Sequence, residues 1–363
     1  MRILCLVGKM DLGGAETFLM KQFRESVKKE IIFDFLVFSQ DRGKYDDEII
    51  RLGGLIHHSV PKTKRPIESF LTIKNIVKKY NYSHVIRISQ NAASIIDLLA
   101  AKFGGAKIRA FRSSNTAVFG LLNNITHVIF KPLVPLIANK FIAPSSDTAT
   151  YMFGQRKTRN HSVSIIKNAI DIDRFTFDFR IRNLYRKMFG ISDNAFVIGH
   201  VGRFNNQKNQ KKIIEIFSCF YQKNSNSVLV LVGKGETRAE IENQISKHNI
   251  RNSVVILDDR NDIQNVMMIF DVLLFPSLFE GMPNVVIEAQ FLGLVCYVSD
   301  TITREVEISN GIKWIDINES PDNIAGIITT NYKPLVYEEY RYSYDIKHTN
   351  KLFLDAMEIT YVQ

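Results

Sequence analysis

Cysteine is scarce in this chain, and its placement excludes both a disulfide framework and a thiolate metal site. Only Cys5, Cys219 and Cys296 occur among 363 residues. They are far apart, odd in number and in no metal-ligand or redox spacing, so reduced thiols of a cytoplasmic protein are expected. Long apolar runs are missing too. No stretch reaches the roughly eighteen consecutive apolar residues of a spanning helix. The nearest, Phe130 to Ile142, is broken by Lys131, Pro132, Pro135 and Lys140. The N-terminus MRILCLVGKM has too short an apolar run for a signal peptide and no small-residue cleavage site, and reads as a buried first strand. No segment is of low complexity, and a content of 45% hydrophobic and 23% charged residues is that of a soluble globular chain. Neither a GxGxxG fingerprint nor a P-loop is present.

A chain of 363 residues exceeds what one compact core usually covers, so two domains are expected. The net charge of +10 is unevenly spread. Residues 1–175 hold 27 Lys and Arg against 14 Asp and Glu, and the remainder holds 20 against 23. A basic first half fits contact with an anionic partner, either a phospholipid surface or a phosphorylated acceptor, and equally a solvated basic surface. The basic residues are dispersed and accompany no nucleic-acid motif, so nucleic acid is not the expected partner.

Short apolar, β-branched runs alternate with amphipathic stretches in both halves. The first half has Ile3–Val7, Ile31–Val37, His84–Ile88 and Phe141–Pro144. The second has Phe196–Val201, Ser227–Val232, Val254–Leu257, Val272–Phe275 and Val295–Ser299. Such runs predict parallel strands covered on both faces, hence an α/β chain of two doubly wound, Rossmann-like domains. The boundary is expected near Phe177, giving domains 1–177 and 178–344. A terminal helix at about 345–363, with apolar Leu352, Leu354, Ala356, Met357 and Ile359, needs a surface to cover.

Three segments carry chemistry. Pro276-Ser-Leu-Phe-Glu-Gly-Met-Pro-Asn-Val-Val-Ile-Glu-Ala289 follows an expected strand directly. Pro283 suits the first position of a helix, whose free amides form an anion site at the strand's carboxyl end. Glu280 then lies in the loop and Glu288 about one and a half turns into the helix. Two carboxylates beside a phosphate site make sense if they accept hydrogen bonds from hydroxyl groups, as a nucleotide-sugar would offer. On spacing alone the same residues serve as a helix cap and a surface glutamate. Gly199-His-Val-Gly-Arg-Phe-Asn-Asn-Gln-Lys-Asn209 places Gly202, Arg203 and Lys208 on a loop after a strand. Two cations there can neutralise a departing diphosphate, although an ordinary basic loop fits as well. Val7-Gly-Lys-Met-Asp-Leu-Gly-Gly-Ala-Glu16 is a glycine-rich strand-to-helix turn that lets amides approach a phosphate. Gly233-Lys-Gly235 reads as a simple tight turn. His57, His58, His84 and His200 have no partner readable from spacing and are expected in the core or on the surface.

Together these segments resemble the retaining glycosyltransferases of family 4 (group 1), of GT-B fold, with two Rossmann-like domains facing a central cleft. Asn168-Ala-Ile-Asp171 with Phe175, Arg260-Asn-Asp262 and Ser299-Asp-Thr-Ile-Thr-Arg-Glu305 add to the resemblance. It covers nearly the whole chain, is stronger in the second half, and is nearest to bacterial enzymes that assemble capsular, exopolysaccharide or O-antigen units.

The resemblance implies catalytic roles for Arg203, Lys208 and Glu280. The two cations would hold the donor diphosphate, and Glu280 would contact the donor sugar. Donor binding would involve Gly14, Gly202, Arg260, Gly281, Met282, Pro283, Asn284 and Glu288, with Glu288 on the ribose and the Arg260 loop beside the base. It implies an acceptor-binding first domain, to which the terminal helix at about 345–363 crosses back, a second domain that binds the nucleotide-sugar, and no cofactor and no metal, since no DxD is placed to hold one. Related enzymes often carry histidines in the segment that here reads Phe111-Arg-Ser-Ser-Asn-Thr116. Arg112 and Asn115 become the candidate acceptor contacts. The expected activity is transfer of a hexose or N-acetylhexosamine from a UDP-sugar, rather than a GDP-sugar, to a polyprenyl-diphosphate-linked saccharide, at the inner membrane face. An epimerase of the same fold would need acid/base groups on both faces of the sugar, which are not found. An inactive family member serving as an assembly partner would not need Arg203, Lys208, Glu280 and Glu288.

Overall fold

The computed structural model describes residues 1–11, 13–115, 120–329 and 336–361. Leu12 of the glycine-rich turn, Thr116 of the acceptor segment and the last two residues of the expected terminal helix lie outside the described residues. The chain divides into two compact units, one of Met1–Ala169 with Ser343–Gln363 and one of Ile170–Tyr342.

The first unit is built on β1 (Arg2–Val7), β2 (Ile32–Val37), β3 (Ile56–His58), β4 (His84–Ser89), β5 (Ile108–Ser113), β6 (Lys140–Ala143) and β7 (Ser164–Ile165). These form a parallel sheet in the order β3-β2-β1-β4-β5-β6-β7. Alternate residues of β1 enter opposite cores: Ile3, Cys5 and Val7 one, Leu4 and Leu6 the other. Burial on both faces is why the run is continuously apolar rather than alternating.

The second unit has β8 (Phe196–Val201), β9 (Ser227–Val232), β10 (Val254–Leu257), β11 (Val272–Phe275), β12 (Val295–Ser299) and β13 (Ile312–Ile315). Their order is β10-β9-β8-β11-β12-β13, again with parallel pairings. In both sheets the order reverses beside the first strand, at β1/β4 and at β8/β11. Such switch points are the usual ligand position in open α/β sheets.

Three expectations need correction. The boundary lies at Ala169/Ile170 rather than near Phe177, because the short turn Ile172–Phe175 packs on the helix Asn284–Phe291 of the second unit. Strands β3, β5, β7 and β13 went unread. β3 and β7 are only 3 and 2 residues long, while β5 (IRAFRS) and β13 (IKWI) are interrupted by charges. The terminal helix is Ile346–Ala356, and Leu352 is exposed on it, while Phe353 and Leu354 are buried.

That helix closes the first unit. The Phe353 ring meets Phe18 at 5.9 Å and Phe33 at 5.8 Å. Buried Asn350 donates to the Gln22 carbonyl at 3.1 Å and to Ser26 Oγ at 2.8 Å. A polar group so far inside is tolerated because its donors are satisfied.

Candidate active site

The second unit's switch point brings the loops after β8 and β11 together. After β8, Asn205 accepts from the Lys208 amide at 3.1 Å and caps the short turn Asn206–Lys208. Asn209 follows at φ 54°, a left-handed conformation that asparagine tolerates, and redirects the chain into the helix Gln210–Lys223. After β11, Pro276–Glu280 runs alongside. The two segments are fastened by backbone as well as side chain. Gln207 Nε2 donates to the Phe279 carbonyl at 2.9 Å, the Leu278 amide donates to the Gln207 carbonyl at 2.9 Å, and Asn209 Nδ2 donates to the Pro276 carbonyl at 3.2 Å.

Lys208 and Glu280 meet at the centre of this junction, with Nζ 2.6 Å from Oε1 and side chains only 17% and 11% exposed. The ammonium also lies 4.6 Å from the centre of the Phe275 ring. Gly202 makes room for the Lys208 stem: a Cβ there would meet Lys208 Cδ and Cε at 3.2 Å. Arg203 stands differently. Its main chain is fixed, with the carbonyl accepting from Gln210 Nε2 at 2.9 Å. Its side chain is exposed and makes no ion pair among the described residues. The site therefore offers one paired, half-sheltered cation and one exposed cation.

Pro283 is the N-cap rather than the first helical residue. Its φ of −72° and ψ of 111° are extended, and the helix starts at Asn284. Gly281 and Met282 are buried, Asn284 Oδ1 is buried without a hydrogen-bond partner, and Glu288 is 8% exposed on the same helix. Arg260 belongs to a different neighbourhood, the loop after the edge strand β10, two strands from β8. It is held by Asp262 through Nε and Nη2, both at 2.7 Å, and that bidentate pairing raises its pKa.

His200 and the Gly233-Lys-Gly235 turn turn out to be structural parts of this site. His200 is fully buried, and its Nδ1 faces the Leu274 carbonyl at 3.0 Å. That nitrogen therefore carries the proton and ties β8 to β11, while Nε2 has no partner. Burial pushes its pKa down to about 3, so the ring beneath Lys208 stays neutral. Gly233 and Gly235 are sites of close approach, since a Cβ on either would meet the Gly202 or Phe204 carbonyl oxygen at 2.1 Å. The loop after β9 thus props up Gly202–Phe204, assisted by the Phe204 amide donating to the Lys234 carbonyl at 2.9 Å. Of the other histidines weighed in the sequence, His57 Nε2 meets Tyr82 Oη at 3.0 Å, His58 Nδ1 the Ser39 carbonyl at 2.9 Å, and His84 Nδ1 Ser83 Oγ at 2.8 Å.

In the first unit, Gly14 opens the helix Gly14–Val27 after β1, and a Cβ added there would meet nothing within 4 Å. Arg112 and Asn115 lie at and just beyond the end of β5, both buried. Among the described residues, no group of three or more His, Cys, Asp or Glu is placed to hold a metal ion, and no helix is long and apolar enough to cross a membrane.

The chain is similar to several known proteins in sequence and in fold. The sequence model of the family described as "Glycosyl transferases group 1" matches residues 181–332. A putative glycosyltransferase EpsF of Bacillus subtilis is 30% identical over 316 residues, covering 86% of this chain and 82% of its own. The UDP-Gal:alpha-D-GlcNAc-diphosphoundecaprenol alpha-1,3-galactosyltransferase of Escherichia coli is 26% identical over 312 residues, 81% of this chain and 80% of its own. Among solved structures, Anabaena Alr3699/HepE in complex with UDP and glucose matches with a TM-score of 0.77 at 18% identity, covering 99% of both chains.

Proposed function

Because the chain belongs to the glycosyl transferases group 1 family and has the GT-B fold, we propose that its second unit binds a nucleotide-sugar at the Lys208–Glu280 junction. In this reading the donor is a UDP-hexose or UDP-N-acetylhexosamine, and the enzyme is metal-independent and retains the anomeric configuration. The acceptor is a saccharide on a polyprenyl diphosphate, and the reaction belongs to assembly of a bacterial surface polysaccharide. The relative from Escherichia coli is named for a UDP-sugar and a diphosphoundecaprenol acceptor, and the matching Anabaena structure holds UDP.

The observation that carries the reading is the ion pair across the two switch-point loops. It puts a cation of one loop and a carboxylate of the other at the carboxyl ends of β8 and β11, beside the start of the helix Asn284–Phe291. A diphosphate arriving there competes for Lys208 and engages exposed Arg203. Glu280 is then released to accept from sugar hydroxyls, while Glu288 accepts from the ribose. As the bond from C1 to the phosphate oxygen breaks, the negative charge gathers on the phosphate, where fixed cations stabilise it most. The acceptor oxygen bonds to C1 on the same face, and its proton passes to the leaving phosphate. No side-chain base is required by this route.

The membrane part rests on a surface of the first unit. On and just after the helix Leu121–Phe130, the side chains of Leu121, Leu122, Ile125, Val128, Ile129 and Leu136 are 45–79% exposed. Between Asp97 and Asp147 the chain has no carboxylate and, besides buried Arg112, five Lys and Arg. Apolar side chains bordered by cations suit an anionic phospholipid surface. The test of the whole reading is incubation with a panel of labelled nucleotide-sugars and a lipid-linked acceptor. One UDP-sugar should be consumed with formation of an α-linked product, and Glu280→Gln should abolish it. Turnover of none of the panel by the wild-type protein overturns the reading.

A further inference from the structure

Three arginines are buried among the described residues, and they are not alike. Arg87 has Asp97 at 2.8 Å from Nε and the Leu6 and Ile88 carbonyls on Nη1. Arg186 has Asp271 at 2.9 Å and the carbonyls of Ser192, Asp193, Ala195 and Ile269. Each faces a carboxylate, shared with Lys62 in the first case and with Arg182 in the second, and its terminal nitrogens donate to carbonyls, while Nε of both lacks a hydrogen-bond partner as in Arg112. Arg112, 2% exposed, has no carboxylate. Its one side-chain hydrogen-bond partner is Asn168 Oδ1, 2.8 Å from Nη2, and its Nε has none. The guanidinium carbon lies 3.8 Å from the centre of the Phe18 ring, which supports a cation without neutralising it.

Guanidinium remains protonated in proteins, so a full positive charge is held here with its counter-charge missing. Burial alone lowers its pKa, to about 9, with no opposing carboxylate. The position matters. Arg112 pairs in register with Ile88 of β4 and Ile142 of β6, one residue before the end of β5, at the ligand-binding end of the sheet. An unneutralised charge kept there is the mark of a group whose partner arrives with the substrate.

We propose that Arg112 is the anchor of an oxyanion site in the first unit, and that the substrate held there carries a carboxylate or phosphate oxygen which completes the guanidinium's charge and hydrogen bonding. The inference deepens the acceptor reading of that unit and rests on it for which substrate brings the anion. Planar, forked donors recognise either oxyanion, so the chemistry is shared by an acidic sugar and a phosphorylated acceptor.

Two measurements on the full chain test it. The first is the melting temperature without ligand. Arg112→Met should melt no lower than the wild type, because it removes an uncompensated charge, whereas Arg87→Met and Arg186→Met should each melt several degrees lower. An equal loss in Arg112→Met would make the residue structural. The second is thermal shift at constant ionic strength with UDP saturating, using inorganic phosphate or D-glucuronate as probe and D-glucose as control. A shift with phosphate alone identifies a phosphorylated substrate, and one with glucuronate alone an acidic sugar. Either should fall at least tenfold in apparent affinity in Arg112→Met and recover in part in Arg112→Lys. No shift in the wild type, or equal shifts in Arg112→Met, overturns the proposal. The shift produced by UDP itself, recorded separately, shows whether the donor reading has failed instead.

Discussion

Replacing Lys208 by methionine removes one ammonium while keeping an unbranched stem over Gly202 and Phe275. The loss has two separable parts. Without Lys208, the Glu280 carboxylate, 11% exposed, loses its ion-pair partner. Breaking a buried pair on one side costs about 3–5 kcal/mol, and the slight exposure here places the cost near about 2–3 kcal/mol. Removing a preorganised cation from the leaving phosphate slows turnover about 10²–10³-fold, or about 2.7–4 kcal/mol of barrier. The double variant Lys208→Met/Glu280→Gln separates the two. It should regain stability to within about 1 kcal/mol of the wild type, since no charge is left stranded, and it should regain no activity. Trp314, the only tryptophan, lies in β13, so its fluorescence in a urea titration reports on the second unit. Initial rates of donor consumption supply the other half. If the double variant stays as unstable as Lys208→Met, or if its rate returns, the pair has been misread.

His200 gives a pH signature. Its folded pKa of about 3 lies below the ordinary 6.5, so the unfolded chain takes up the proton first as pH falls. The stability it supports is complete above 6.5 and is lost toward 3, at about 1.4 kcal/mol per unit, or about 2 kcal/mol by pH 5. His200→Asn, which still donates to the Leu274 carbonyl, should show a drop between pH 7.5 and pH 5 smaller by that amount in Trp314-monitored unfolding; an equal drop in both proteins refutes the burial argument. Gly233→Ala would press a methyl toward the Gly202 carbonyl at a φ of 144°. It should destabilise the unit by more than about 1 kcal/mol and weaken UDP binding, and unchanged values by calorimetry count against the propping role. Leu122→Glu with Val128→Glu should abolish co-sedimentation with anionic vesicles and leave transfer to a water-soluble acceptor intact; retained sedimentation rules that face out.

The second sheet was legible nearly strand by strand, because Phe196–Val201, Ser227–Val232, Val254–Leu257, Val272–Phe275 and Val295–Ser299 are apolar runs bounded by breaks in pattern. β5 was hidden by its arginines. Arg109 looks like a surface residue, yet it spends its donors on the carbonyls of Ile137, Ala106 and Lys107, and Arg112 goes inward without a carboxylate. The site loops could be placed because they follow strands whose ends were clear. Their fastening could not, since the side chains of Gln207 and Asn209 and the amide of Leu278 all end on backbone carbonyls, whose positions leave no mark on residue type. His200 was unreadable for a related reason: nothing in the sequence says that Leu274 presents a carbonyl to it. The Gly-Lys-Gly turn offered a usable signal, two glycines after a strand, whose meaning lay in what approached them rather than in the turn itself.

The central claim is that the loops after β8 and β11 hold one diphosphate. Calorimetric titration of the full chain with UDP and with uridine tests it most directly, because the difference isolates the phosphates. UDP should bind at least about a hundredfold more tightly than uridine. In Arg203→Met and in Lys208→Met/Glu280→Gln that margin should shrink about tenfold or more, with uridine affinity unchanged. Equal affinity for UDP and uridine in the wild type, or a margin untouched by both variants, would contradict the account.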